Sequence, residues 1–334
     1  MLLLVIFITT AHLILVGVGA VSPLVNVFYE WLESGKDSSR YQIGNRLTRY
    51  GIIAWVTGAL FGIVLGLVSW SEPLFGSLQR LESKVNYGIV EYFFSLVLMI
   101  LYLLWRQRVK EPGRIQRVVR CLLPLAAGSN SIYHFPVLFT VIGELQRRGL
   151  WNGKMIDASQ FRHEWLVSSV VWARSIHVVV AAVAFTGMAM LMMAVRAQRQ
   201  NDESLYRISV LAGARLTLVG VIGQVLTGFW LITTLETNQQ SLLMGSDLLT
   251  TTAFAAGVFL AFFWIHLLGP GIVSPLDNKA ISRIALVGVF TMLMMVTATH
   301  RSRALSTMSD ESAGSATALA EDQDHQTAGR RWLE

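Results

Sequence analysis

The sequence predicts an all-α, polytopic membrane protein of about eight transmembrane helices, and three observations predict it. Hydrophobic residues make up 53% of the 334 positions and charged residues only 14%. The apolar residues fall into long blocks rather than alternating with polar ones. Each block reaches the roughly 20 residues that a helix needs to cross a hydrocarbon core of about 30 Å. Backbone groups in lipid must be satisfied within the segment or in a closed barrel, and runs this long do not suit short alternating strands.

The first helix is read at 2–29 and contains "ITTAHLILVGVGA", with His12 alone in an apolar run. The "VGA" before Val21 is a tolerable signal-peptide cleavage site. No basic region precedes it and the apolar run continues past it, so the segment is kept as a membrane helix. The second helix, 50–70, opens in "RLTRYGIIAWVTG"; the third, 87–105, carries Glu91 near its start. The fourth, 118–146, holds His134 with Pro124 and Pro136, and the fifth, 167–195, holds Arg174 and His177. The sixth, 211–235, includes "RLTLVGVIGQVLTG"; the seventh and eighth are read at 248–269 and 281–299, with His300 at the end of the last. The segment 304–334 is polar and rich in small residues, and reads as a solvated tail.

Charge orients these spans. Lys36, Arg40, Arg46 and Arg49, then "RQRVKEPGRIQRVVR", then Arg196, Arg199 and Arg207, then Lys279 and Arg283 follow the odd-numbered helices, whereas "ETNQQSLLMGSD" has no basic residue. Under the positive-inside rule both termini lie outside a cytoplasmic (inner) membrane. The same rule accounts for the net charge of +6, and no basic patch with interleaved aromatics points to nucleic acid. The single cysteine, Cys121, excludes an intramolecular disulfide, a cysteine-based zinc site and the C-x-x-C-H attachment of a c-type haem. There is no P-loop, dinucleotide fingerprint or nucleophile triad.

The chain also repeats itself. Arg46-Leu-Thr and Arg215-Leu-Thr stand 169 residues apart, with Gly51 matched by Gly220. His12 and His177 are 165 apart, and His134 and His300 are 166 apart. The economical reading is a duplicated four-helix unit, 1–146 and 147–303, followed by the tail 304–334. An even number of crossings per unit makes the copies parallel. On that topology His12, His134, His177 and His300 share the outer half of the membrane with Glu91.

Ionisable groups at such depth are costly unless paired or turned inward, and they default to a functional reading. Neutral imidazole is a common ligand of haem iron. The bland alternative is an interhelical hydrogen bond worth about 1 kcal/mol. For the recurring pair His12 and His177 haem ligation is the stronger reading. Arg174, one turn from His177, either neutralises a haem propionate or snorkels outward. His266 with Trp264 reads as a helix-end contact or interfacial anchor, and the methionines of "GMAMLMMAV" as packing or lipid-facing residues.

Around these residues the sequence resembles subunit I of cytochrome bd oxidase. "VVWARSIHVVVAAVAFTGMAML" is similar to the helix carrying an axial histidine of that family's low-spin b haem, "HLILVGVGA" to its first helix, "GNRLTRYGIIAWVTGALFGIVLGL" to its second, and "LAAGSNSIYHFPVLFTVIGELQ" contains its Gly-Ser-Asn at 128–130. The likeness covers about the first 235 residues. It implies haem b, in one or more copies with haem d left open. It also implies that His12 is a ligand at an oxygen-reducing type of haem, His177 a ligand at an electron-entry haem, and Glu91 a catalytic carboxylate beside the former. His134, an addition to the family pattern, would complete an axial pair, and His300 and Arg174 join the candidate haem-binding set.

The family's long hydrophilic loop after the sixth helix, associated with quinol, is reduced here to about a dozen residues, and its methionine ligand on the next helix is missing. The expectation is therefore a divergent, shortened relative working with other membrane subunits and a non-quinol donor such as a cytochrome c domain. Glu236 and Asp247, with no Lys or Arg between them, would attract a basic donor. A transporter using the histidines and Glu91 as a proton path, and a cofactor-free structural subunit, are the alternatives.

Overall fold

A computed structural model describes residues 1–32, 38–109 and 111–331, with side chains as far as 306. Lys36, Lys110 and the side chain of His325 lie outside the described residues. Eight helices are long and apolar enough to cross a membrane. They are α1 (Leu2–Leu32), α2 (Ser39–Val68), α3 (Glu82–Arg108), α4 (Arg114–Arg147), α5 (Ser169–Arg199), α6 (Glu203–Thr234), α7 (Leu248–Leu268) and α8 (Asn278–Arg331). No strand occurs among the described residues. All eight spans expected from hydropathy are present, because in lipid an apolar run of sufficient length forms a helix, but several helices run on past the apolar run, α2 and α6 beginning at 39 and 203 rather than 50 and 211.

The connections show how each span stops. Ser38, Asp202 and Asp247 accept from Tyr41, Leu205 and Thr250 backbone N–H groups at 3.2, 3.1 and 2.9 Å, capping α2, α6 and α7. Side-chain oxygens there satisfy amides that have no partner inside the helix. Asn201 turns the chain between α5 and α6 with φ of 57°, a conformation asparagine tolerates better than most residues. Pro23 lies inside α1 and Pro124 and Pro136 inside α4, tolerated where neighbouring helices re-satisfy the freed carbonyls. The backbone of α8 continues as helix to Arg331, while its membrane-length apolar stretch ends at Ser306.

The two antiparallel pairs α1–α2 and α5–α6 make the most extensive packing, and α7–α8 forms a third. α1 also packs on α4 and α5, and α5 on α4. Gly17 of α1 faces Ala182 of α5 so closely that a Cβ on Gly17 would sit 3.0 Å from the alanine Cβ. Ser39 and Ser204, which open α2 and α6, share a 2.7 Å hydrogen bond. Like parts of α1 and α5, and like ends of α2 and α6, thus meet, and α1 runs parallel to α5. Residues 17 and 182 are also 165 apart, the offset that separates His12 from His177.

The main core lies where α1, α2, α5 and α6 meet, and includes Val18, Leu47, Ala54, Phe185, Leu191 and Val210. Met188, Met190 and Met193 are buried in it while Met192 is exposed, so most of the methionine run is packing. Trp264 is buried there too, against Phe185 at a ring separation of 5.8 Å, and corrects the expectation of an interfacial anchor. Its neighbour His266 is exposed and stacks on Phe263.

Candidate functional site

His12 lies on the face of α1 that meets α2. Its Nδ1 is 2.8 Å from the carbonyl oxygen of Gly58. A carbonyl only accepts, so Nδ1 carries the proton. The ring fits because α2 has no side chain at Gly62, where a Cβ would come within 2.7 Å of His12 Cε1.

His177 repeats this arrangement between α5 and α6. Its Nδ1 is 3.1 Å from Thr227 Oγ1. That hydroxyl already donates to the carbonyl of Gly223 at 2.8 Å, so toward the histidine it accepts. Nδ1 again bears the proton, and Gly228 lies beside the ring as Gly62 does beside His12. Thr227 follows Gly58 by 169 residues, the same offset that separates Arg46 from Arg215.

In both imidazoles Nδ1 is the donor, which in the neutral ring leaves Nε2 with its lone pair. Among the described residues neither Nε2 has a hydrogen-bond partner. This is the arrangement of a metal-ligating histidine, whose other ring nitrogen donates to a protein oxygen that fixes tautomer and orientation. Among the described residues no three of His, Cys, Asp and Glu come together. A bare ion such as zinc needs three or four protein ligands, whereas haem iron takes most of its ligation from the porphyrin and one or two from protein. One imidazole at each place is compatible with haem, and among the described residues the three or four donors of a bare ion are not assembled.

The repeat extends around each histidine. Thr48 and Thr217, both buried, donate to the carbonyls of Gly44 and Gly213 one turn earlier at 2.7 and 2.8 Å. Gly51 and Gly220 let α2 and α6 close directly onto Ser22 of α1 and Ala184 of α5. The recurring "G-x-R-L-T-x-x-G" therefore seats each helix against its partner, two turns or more before the residue that holds the histidine.

The remaining sequence candidates separate. His134 of α4 faces Glu91 of α3, with Nε2 3.9 Å from Oε1 and both side chains partly exposed. Asn130 ties the same place together, donating to Glu91 O at 3.1 Å and Ser95 Oγ at 2.9 Å, while Gly128 admits Leu24 of α1. His300 of α8 is partly buried, and among the described residues its Nδ1 has no hydrogen-bond partner. Arg174 is buried rather than turned outward: its Nη1 donates to Glu144 Oε1 at 2.7 Å.

Two charged clusters escaped the sequence reading. Glu30 of α1 is fully buried and holds Arg106 of α3 and Arg120 of α4, with Arg120 Nε at 2.7 Å and the Tyr102 hydroxyl at 2.9 Å. Its signal in the sequence is a lone acid just beyond the apolar run that was ended at 29. At the other end of the bundle Glu144 joins Arg147, Arg148 and Arg174. Arg147 continues to Glu236 at 2.5 Å, and Arg301 grips Asp247 at 2.8 Å. The two carboxylates expected to attract a basic donor are each neutralised by an arginine of their own chain, which corrects that expectation.

No family model and no curated protein matches this sequence. Among solved structures the chain is similar to one titled the structure of bd oxidase from Geobacillus thermodenitrificans, with a TM-score of 0.69 and 13% sequence identity, covering 91% of this chain and 85% of that one. At that identity the likeness shows a shared helical membrane fold.

Proposed function

We propose that this chain is a haem b-binding membrane subunit of a respiratory electron-transfer complex built on the bd oxidase plan, with His12 and His177 as iron ligands at two separate centres. The observation that carries the reading is the pair of Nδ1–H imidazoles, held by acceptors at repeat-equivalent positions with both Nε2 atoms left as bases. Haem held there would supply one-electron transfer and a place where oxygen can bind. The protein's part is to orient the two rings, exclude water through the α1–α2 and α5–α6 contacts, and keep each ligand in its basic tautomer. Glu91, which faces His134 across the α3–α4 pair at 3.9 Å, is read as the carboxylate of the site and His134 as a further candidate ligand. Arg174, one turn before His177 and held by Glu144, is the candidate partner of a haem propionate at that centre.

The units 1–146 and 147–303 are read as duplicated copies, in the inner membrane with both termini outside. Other membrane subunits complete the complex. The donor is proposed to be a haem protein such as a cytochrome c domain rather than quinol. Support comes from the 235–247 connection, which is short and clamped at both ends by Arg147–Glu236 and Arg301–Asp247, where a quinol pocket needs a concave, adaptable wall.

A reduced-minus-oxidised spectrum of the purified chain should show b-type haem. His12→Ala and His177→Ala should each remove one component while the helical content is kept; unchanged haem content in both variants would overturn the assignment. Stopped-flow reduction by a quinol analogue and, separately, by reduced cytochrome c tests the donor, and rapid reduction by quinol alone would refute it.

A further inference from the structure

α6 holds α5 at His177 through two side chains one turn apart. Gln224 Nε2 donates to the backbone carbonyl of His177, and Thr227 Oγ1 meets the ring at Nδ1. In the first half the corresponding acceptor at Gly58 is a backbone carbonyl, which no substitution of its own side chain can remove. In the second half it is a side-chain hydroxyl whose proton is committed to Gly223 O. The same device is therefore built from main chain at one histidine and from side chain at the other.

We infer that Thr227 is a positioning residue for His177: by accepting the hydrogen bond from Nδ1–H it sets the tautomer and rotation of the ring, and so the strength of Nε2 as a base. The tautomer follows from geometry alone, and its consequence for an iron centre rests on the haem reading proposed above. A hydrogen bond from Nδ1–H to an oxygen makes the imidazole more electron-rich and favours the oxidised metal. Valine has the shape of threonine without the acceptor. It leaves a partly buried N–H unsatisfied, which the ring relieves by moving its proton to Nε2 or by rotating. Serine keeps the hydroxyl and its bond to Gly223.

The test uses the full-length chain in lipid bilayers with 15N-labelled histidine, the His177 signals assigned by their loss in His177→Gln. In haem-free protein, solid-state spectra should show His177 protonated at Nδ1 in the wild type and in Thr227→Ser, and protonated at Nε2 to a substantial fraction in Thr227→Val. An Nε2–H tautomer in the wild type, or a Thr227→Val spectrum identical to wild type, would overturn the inference. In haem-loaded protein Thr227→Val should move the midpoint potential of the His177 centre to more positive values and Thr227→Ser should leave it in place; an unmoved potential in Thr227→Val counts against the inference equally. If the chain takes up no haem, the proposed function fails and the tautomer measurement decides this inference by itself.

Discussion

Replacing Glu30 by glutamine should strongly destabilise the bundle. Glu30 is fully buried, and its two oxygens accept from Arg106, Tyr102 and both Nε and Nη2 of Arg120, joining α1 to α3 and α4. An amide keeps one oxygen for one guanidinium and turns an NH2 group toward the donors on the other side. About two charge-assisted hydrogen bonds are lost, each worth roughly 1.5–3 kcal/mol, and two buried guanidiniums lose the charge that faced them. Breaking one partner of a buried ion pair typically destabilises by about 3–5 kcal/mol, and that range is the expected one here. With about 2 °C per kcal/mol for a chain of this size, the midpoint should fall by roughly 6–10 °C.

Cys121 supplies the assay, being the single cysteine, buried, and adjacent to Arg120. A thiol-reactive fluorogenic dye in detergent then reads the opening of this cluster directly. Tyr102→Phe, which removes one of the bonds, should shift the midpoint by less than half as much. Glu111→Gln, at an exposed position, should stay within about 0.5 kcal/mol of wild type. A Glu30→Gln protein melting within about 1 °C of wild type would show that water reaches the carboxylate and that the buried-pair argument is wrong.

At the opposite end, Glu144→Gln should destabilise by about 3–5 kcal/mol while Glu236→Gln, whose carboxylate is 55% exposed, should cost about 0–1 kcal/mol by the same thermal assay. Gly62→Ala should displace the His12 ring and lower haem occupancy at that centre alone, seen as a loss of roughly one haem per chain by spectrum with the His177 component retained. Asp247 is held well below the usual carboxylate range, first by the Arg301 side chain and then by Thr250. A depressed folded pKa gives stability that is present above the unfolded value of about 3.9 and is lost as pH falls through and below it. The midpoint difference between wild type and Asp247→Asn should accordingly shrink from pH 6 to pH 3, measured in about half-unit steps; a difference that grows on acidification would contradict the assignment.

The eight spans could be read from the sequence because each depends on a local quantity, the length of an apolar run set against the thickness of hydrocarbon. His12 and His177 were legible for a related reason: an imidazole in an apolar run stands out, and the 165-residue spacing ties the two together. The Arg-Leu-Thr repeat marked the right helices but did not reveal what it does there. Only the tertiary structure decided which oxygen meets each ring, since Gly58 and Thr227 lie 46 and 50 residues from their histidines, and contact between them depends on how each helix is rotated about its axis. The charges were the least legible. Arg106 and Arg120 bound the basic stretch 106–120, whose excess is explained by membrane orientation, and nothing local says that both turn inward onto Glu30, 76 and 90 residues away. Glu236 and Asp247 looked free for the same reason, because the arginines that neutralise them, Arg147 and Arg301, arrive from other helices. Hydrophobic length is a property of one segment, whereas the pairing of charges in lipid is a property of which helices become neighbours.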